Sequence, residues 1–204
     1  MANISAKLVK ELREKTGAGM MECKKALEDA GGNLEEAVTL LRKRGAAAAE
    51  TKLGRATTEG LVSSYIHPGG RVGVLIEINC ETDFVAATEE FRELVKDLAM
   101  QVAAASPALP RWVRREDVPK DALDKERDIL RSQAEGTGKP PNVIEKIVEG
   151  KLSKFYSENV LLEQPYIKNP DQTVEEYMKS KIAVLKENIQ VRRFVRFERG
   201  ESIA

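Results

Sequence analysis

Histidine occurs once in this chain, at position 67, and cysteine only twice, at 23 and 80. A lone histidine beside a turn proline cannot act as a general base without an orienting partner and a nucleophile. His67 therefore reads as a turn or interface residue. Two cysteines far apart, in different kinds of segment, do not make a disulfide framework or a thiolate zinc site. They read as small buried side chains of a reduced protein. No run of 18 apolar residues is present, so nothing in the sequence reads as a membrane span. The start, Met1-Ala2-Asn3-Ile4, lacks the basic-then-apolar pattern of a signal peptide, and the expected location is cytoplasmic. Net charge is missing too: Lys plus Arg and Asp plus Glu are 33 each. That balance argues against nucleic acid as the main partner, because phosphate binding needs a basic footprint.

What is present is a globular composition, 42% apolar and 32% charged over 204 residues. This length allows one substantial core with a small appended module. The first 45 residues read as three short helices. Ser5 caps the first, with Ile4 and Val9 at the staple positions and Leu8, Val9 and Leu12 on its apolar face. Thr16-Gly17-Ala18-Gly19 ends it. The second helix places Met20, Cys23, Ala26 and Leu27 on one side and stops at Gly31-Gly32. Asn33, with Glu36 three residues on, opens the third, which Gly45 closes. Residues 46–58 read as a helical linker. Leu61–Ile66 and Arg71–Cys80 then form a hairpin around Pro68-Gly69-Gly70. The alternation of Val72, Val74, Ile76, Ile78 and Cys80 gives the second strand one inward face, with Leu75 and Glu77 on the other.

A helix is expected from about Thr88, and a proline-rich loop over 106–120. Helices follow over Asp121 to Ala134, Asn142 to Glu163, and from Thr173 through Leu185. Gln190 to Glu198 reads as a final strand that returns to the hairpin. The fold class is α+β: a helical N-terminal module (1–45), the linker (46–58), and a core (59–204) with a three-stranded antiparallel sheet and packed helices.

No catalytic constellation stands out. Gly136-Thr137-Gly138-Lys139 lacks the spacing and the preceding strand of a phosphate loop. Calcium-loop carboxylate spacing is absent, and no metal or cofactor is expected. Two segments admit a functional reading beside a structural one. In Thr82-Asp83-Phe84-Val85, the aspartate caps an amide and the phenylalanine enters the core, or the pair projects from the strand end. In Thr16–Met21, Met20 packs into the core, or the two methionines make an adaptable contact surface.

Longer blocks favour the projecting reading of Thr82–Val85. Leu8–Arg13 and Thr16–Leu27, Asn79-Cys80-Glu81-Thr82-Asp83-Phe84-Val85-Ala86, and the closing Val191–Glu198 resemble the elongation factor Ts family along essentially the whole chain. The resemblance implies that the N-terminal module is ubiquitin-associated-like. It implies a non-enzymatic guanine nucleotide exchange factor whose partner is elongation factor Tu. Thr82, Asp83, Phe84 and Val85 would meet the partner's GTPase domain and dislocate its magnesium. Arg13, Met20 and Met21 would meet another helix of that domain. Longer family members carry a second core half, a helical hairpin insertion and a C-terminal helix, whereas this sequence holds one core half. Its uncovered sheet face, with Leu75, is expected in a homodimer. The alternative reading is a non-enzymatic adaptor or RNA-binding scaffold using Arg192, Arg193 and Arg196.

Overall fold

A computed structural model describes residues 4–136 and 138–201. The Met1–Asn3 start and Thr137 of the Gly136–Lys139 loop, both read above, lie outside the described residues. The helices are α1 (Ala6–Thr16), α2 (Met20–Asp29), α3 (Leu34–Glu50), α4 (Asp83–Ala86), α5 (Glu89–Ala104), α6 (Lys120–Glu135), α7 (Pro141–Asn159) and α8 (Val174–Leu185). The strands are β1 (Glu59–Ile66), β2 (Val72–Cys80), β3 (Pro165–Tyr166), β4 (Asn169–Thr173) and β5 (Gln190–Glu198). The fold is α+β. The chain divides into two compact units: Met1–Leu61 with Ile78–Leu94 and Glu176–Gln190, and Val62–Glu77 with Val95–Glu175 and Val191–Ala204.

In the first unit, α1 starts where the Ser5 hydroxyl accepts from the Leu8 amide at 3.2 Å, satisfying a donor that the helix cannot. Gly17 ends it in the left-handed region, φ 68°, its amide bonded to the Arg13 carbonyl. Asn33 caps α3 by accepting from the amides of Glu35 and Glu36. Val9, Leu12, Cys23, Ala26, Leu27, Ala30 and Ala37 form the shared core of α1–α3, with Ile4 packed against it. Met20 does not join this core and is 47% exposed. It is the first residue of α2, and helical side chains lean toward the N-terminus, off the end of the packed stripe.

Gly45 does not close the third helix. α3 runs on to Glu50, with Ala49 fully buried. A Cβ at position 45 would stand 3.2 Å from that of Ala183, so the glycine serves close packing against α8 rather than termination.

The larger sheet is antiparallel with order β1-β2-β5. Its hairpin turns at Gly69 (φ 90°) and Gly70 (φ 66°), closed by a bond from the His67 amide to the Val72 carbonyl at 2.9 Å. Val74, Ile76, Ile78 and Cys80 alternate inward, and Leu75 points to solvent. β1 begins earlier than expected because Gly60 pairs at the end of β2. Its φ is 144°, and an added Cβ would lie 2.2 Å from the Ile78 carbonyl oxygen, a separation no side chain tolerates.

In the second unit, α6 and α7 pack along Leu130, Ala134, Val148 and Leu152. The expected helix to Glu163 stops at Asn159. There Val160 turns extended (φ −107°, ψ 117°) and bridges Trp112, before a single 3₁₀ turn over Leu161–Glu163. The β3–β4 ladder was not expected either, since two-residue pairing leaves no alternating pattern to read. A buried amide pair orders the neighbouring loops: Gln101 donates to Gln164 at 3.2 Å and to the Pro165 carbonyl, and Gln164 donates to the carbonyls of Ala108 and Glu158.

Candidate functional site

Immediately after β2 the chain makes a tight turn and one turn of helix, α4, that presents Phe84 to solvent. Thr82 caps it: its hydroxyl accepts from the Val85 amide at 3.4 Å. Phe84 is 81% exposed, more than any other large hydrophobic side chain among the described residues. Asp83 beside it is exposed, Val85 is half-buried, and Ala86 closes the turn inward. The aspartate therefore does not hold a phenylalanine in the core. The pair projects.

A four-residue helix is too short to sustain itself, because nucleation costs more than one turn returns. Its order comes from outside. The Glu187 carboxylate accepts three hydrogen bonds from the turn: from the amides of Glu81 (3.1 Å) and Thr82 (3.0 Å), and from the Thr82 hydroxyl (2.6 Å). The Glu81 carboxylate accepts from the Asn188 amide at 2.6 Å and pairs with Arg55. Asn188, fully buried, donates to the Arg55 carbonyl. The Cys80 thiol donates to the Thr82 carbonyl at 3.2 Å. Burial, then the nearby Glu187 charge, pushes that thiol up to about 11.

The other candidate residues lie at the start of α2 and on α1. Met21 is 74% exposed, Met20 is half-exposed and Arg13 is exposed. This end of the helical module is tied to the same stretch of chain that holds the turn. Val184 lies 3.6 Å from where a Gly17 Cβ would be. Lys186 donates to Glu22 at 2.7 Å, while Glu22 also accepts from the Gly19 amide. The Lys186 bond is the main reason the Glu22 carboxyl is held below its ordinary value. Residues 184–188 thus contact both the Thr82 turn and the Gly17–Glu22 stretch that carries Met20 and Met21.

Lys186, Glu187 and Asn188 were not found from the sequence. A Lys-Glu-Asn run after a helix reads as a solvated end, and Glu187 meets the turn across a separation of 105 residues. The one local signal is conformational: Lys186 sits at φ 62°, where glycine is usual. Of the arginines weighed for RNA contact, Arg193 pairs with Glu77 at 2.7 Å and Arg196 with Glu198 and Glu201. Carboxylates thus flank Arg193 and Arg196, while Arg192 is exposed. Among the described residues no group of three His, Cys, Asp or Glu is placed to hold a metal ion. No helix among them is long and apolar enough to cross a membrane.

Comparison with known proteins matches the sequence to a family. The family model described as Elongation factor TS matches residues 2–201. Elongation factor Ts of Carboxydothermus hydrogenoformans is 61% identical over 201 residues, covering 98% of this chain and 91% of the relative. That of Thermoanaerobacter sp. is 60% identical over 200 residues, covering 98% and 97%. That of Moorella thermoacetica is 60% identical over 200 residues, with the same coverage. With a match along nearly all of its length, the chain belongs to the elongation factor Ts family.

Proposed function

We propose that this protein is the guanine nucleotide exchange factor for elongation factor Tu in translation elongation, acting in the cytoplasm without making or breaking a bond. The observation that supports it best is Phe84: a bulky apolar side chain, 81% exposed, on a turn fixed by hydrogen bonds from a distant segment. An exposed aromatic held rigidly costs solvation without helping the fold, which fits a residue kept for a partner.

Exchange is a linkage effect. A factor that binds the nucleotide-free GTPase better than the GDP form weakens GDP binding by the same ratio. Phe84 enters between two helices of the GTPase domain, Asp83 engages the same region, and Thr82 and Val85 frame them. Packed helices switch between arrangements rather than deform smoothly, so a wedge there shifts the magnesium site. Losing the ion exposes phosphate charge it had neutralised, and GDP leaves. Arg13, Met20 and Met21 make the second contact, on another helix of that domain. Residues 1–45 act as a helical domain, 46–58 connect it, with the first five of these continuing α3, and 59–204 form the core domain. That core dimerises through the sheet face bearing Leu75.

Stopped-flow release of fluorescent GDP from elongation factor Tu, with and without this protein, tests the reading. Acceleration that saturates with its concentration is expected, and unchanged release would overturn it. Limited proteolysis tests the domain boundaries. Cutting is expected between Thr51 and Thr58, which follow α3 and are largely exposed. Protection of that stretch would remove the connector.

A further inference from the structure

Phe84 contributes almost nothing to the order of the turn that displays it, since most of its surface faces solvent. The turn's own resources are a weak Thr82 cap and one helical turn. Three of its donors meet a single carboxylate instead, and the partner bonds run in both directions. Glu187 accepts from the backbone of residues 81 and 82, and Glu81 accepts from the backbone of residue 188. Such charge-assisted bonds are short and directional, and the two-way arrangement fixes both position and tilt. The left-handed Lys186 sets the direction from which Glu187 arrives.

We propose that Glu187 is a positioning residue for nucleotide exchange, whose carboxylate holds the Thr82–Val85 turn so that Phe84 meets the partner already in place. Its kinetic consequence rests on the exchange reading above. A wedge that must be ordered during each encounter spends part of its binding on ordering, so the loss falls on the saturating rate rather than on encounter. Glu187 touches neither nucleotide nor partner in this scheme and acts only through the turn.

The test is a double-mutant cycle on the full chain. Glu187→Ala is expected to lower the saturating rate of GDP release about tenfold or more, as loss of several charge-assisted bonds and slight misplacement would. In the Phe84→Ala background the same change should add less than about twofold, because the residue it positions is gone. Glu187→Gln keeps an oxygen for the two backbone amides and should retain the rate within about threefold, while Glu187→Asp, whose shorter side chain withdraws the carboxylate from the turn, serves for the cycle if the alanine variant does not fold. Independently of any partner, Glu187→Ala should speed hydrogen exchange at the Glu81 and Thr82 amides by about tenfold or more. Equal losses with and without Phe84 would overturn the proposal by making Glu187 a general stabiliser. Unchanged amide protection would overturn it too. If the native protein releases no GDP, the exchange reading falls and the amide measurement alone decides this one.

Discussion

Of the exposed large apolar side chains, the one after β2 and those on the sheet are held by opposite means. After β2 one aromatic stands out on a short turn whose backbone is bonded from another part of the chain. On the sheet, Val62 and Ile66 of β1, Leu75 of β2, and Val195 and Phe197 of β5 are each between 41% and 69% exposed. The strand ladder itself holds these in place, and Glu77, two residues on from Leu75, pairs with Arg193 on the neighbouring strand. A single anchored projection suits insertion into a partner, where one side chain dominates. A flat face of several apolar residues suits area burial, where no single side chain dominates and a second copy is the simplest cover. The lesson is that exposure alone does not name a function; what fixes the exposed group does.

The sharpest way to break this contrast is Phe84→Ala. Removing an interface anchor typically forfeits about 2 kcal/mol or more, so GDP release should slow by roughly 30-fold or more. Thermal melting should barely move. A core phenylalanine would instead cost roughly 3–5 kcal/mol of stability, and a collapsed melting temperature with exchange retained would reverse the assignment. Leu75→Glu addresses the other region. Light scattering of the parent should give twice the 22.6 kDa chain mass, and the variant should weaken that dimer by about tenfold or more without unfolding. A monomeric parent at tens of micromolar, on the order of assay concentrations, would leave the sheet face without its proposed cover. Asp83→Ala should slow GDP release by about three- to tenfold, less than Phe84→Ala, with the deficit growing at low salt.

The smallest effect concerns charge. Glu22 has its folded pKa lowered chiefly by the Lys186 hydrogen bond, with burial opposing it. A carboxyl with a depressed folded value stabilises fully above its unfolded value. That contribution disappears as pH falls through the folded one. The pair is about half exposed, so its worth is at most ~1 kcal/mol, screened by salt. Melting of the parent against Lys186→Ala should differ at pH 7 and converge well below pH 4.5, the ordinary glutamate value. A constant gap across that range would mean that the ion pair is not the cause.

Local chemistry made much of the fold legible. The Ser5 and Asn33 caps, the Gly31-Gly32 stop, the inward alternation of β2 and the span of β5 all follow from residues within a few positions of each other. Longer-range facts were not readable. α3 passes Gly45 because that glycine answers Ala183, far along the chain. α7 ends at Asn159 because Val160 bridges Trp112. Phe84 was ambiguous on residue type, since apolarity looks the same in a core or on a wedge. The motif resemblance favoured projection, and exposure agrees. Glu187 had no signature at all, because a carboxylate bonding two distant amides leaves no trace in spacing or periodicity.

Cys80 turns the anchored turn into something that can be timed. Burial pushes its pKa up to about 11, so almost none of the thiol is ionised at pH 7, and the side chain is fully buried. Alkylating reagents should therefore wait for the strand end to open. Cys23, also buried with a raised pKa, lies in a different core and supplies an internal reference. The labelling rate of one against the other would act as a clock for how often the base of the Phe84 turn comes loose, read by mass spectrometry without any partner present.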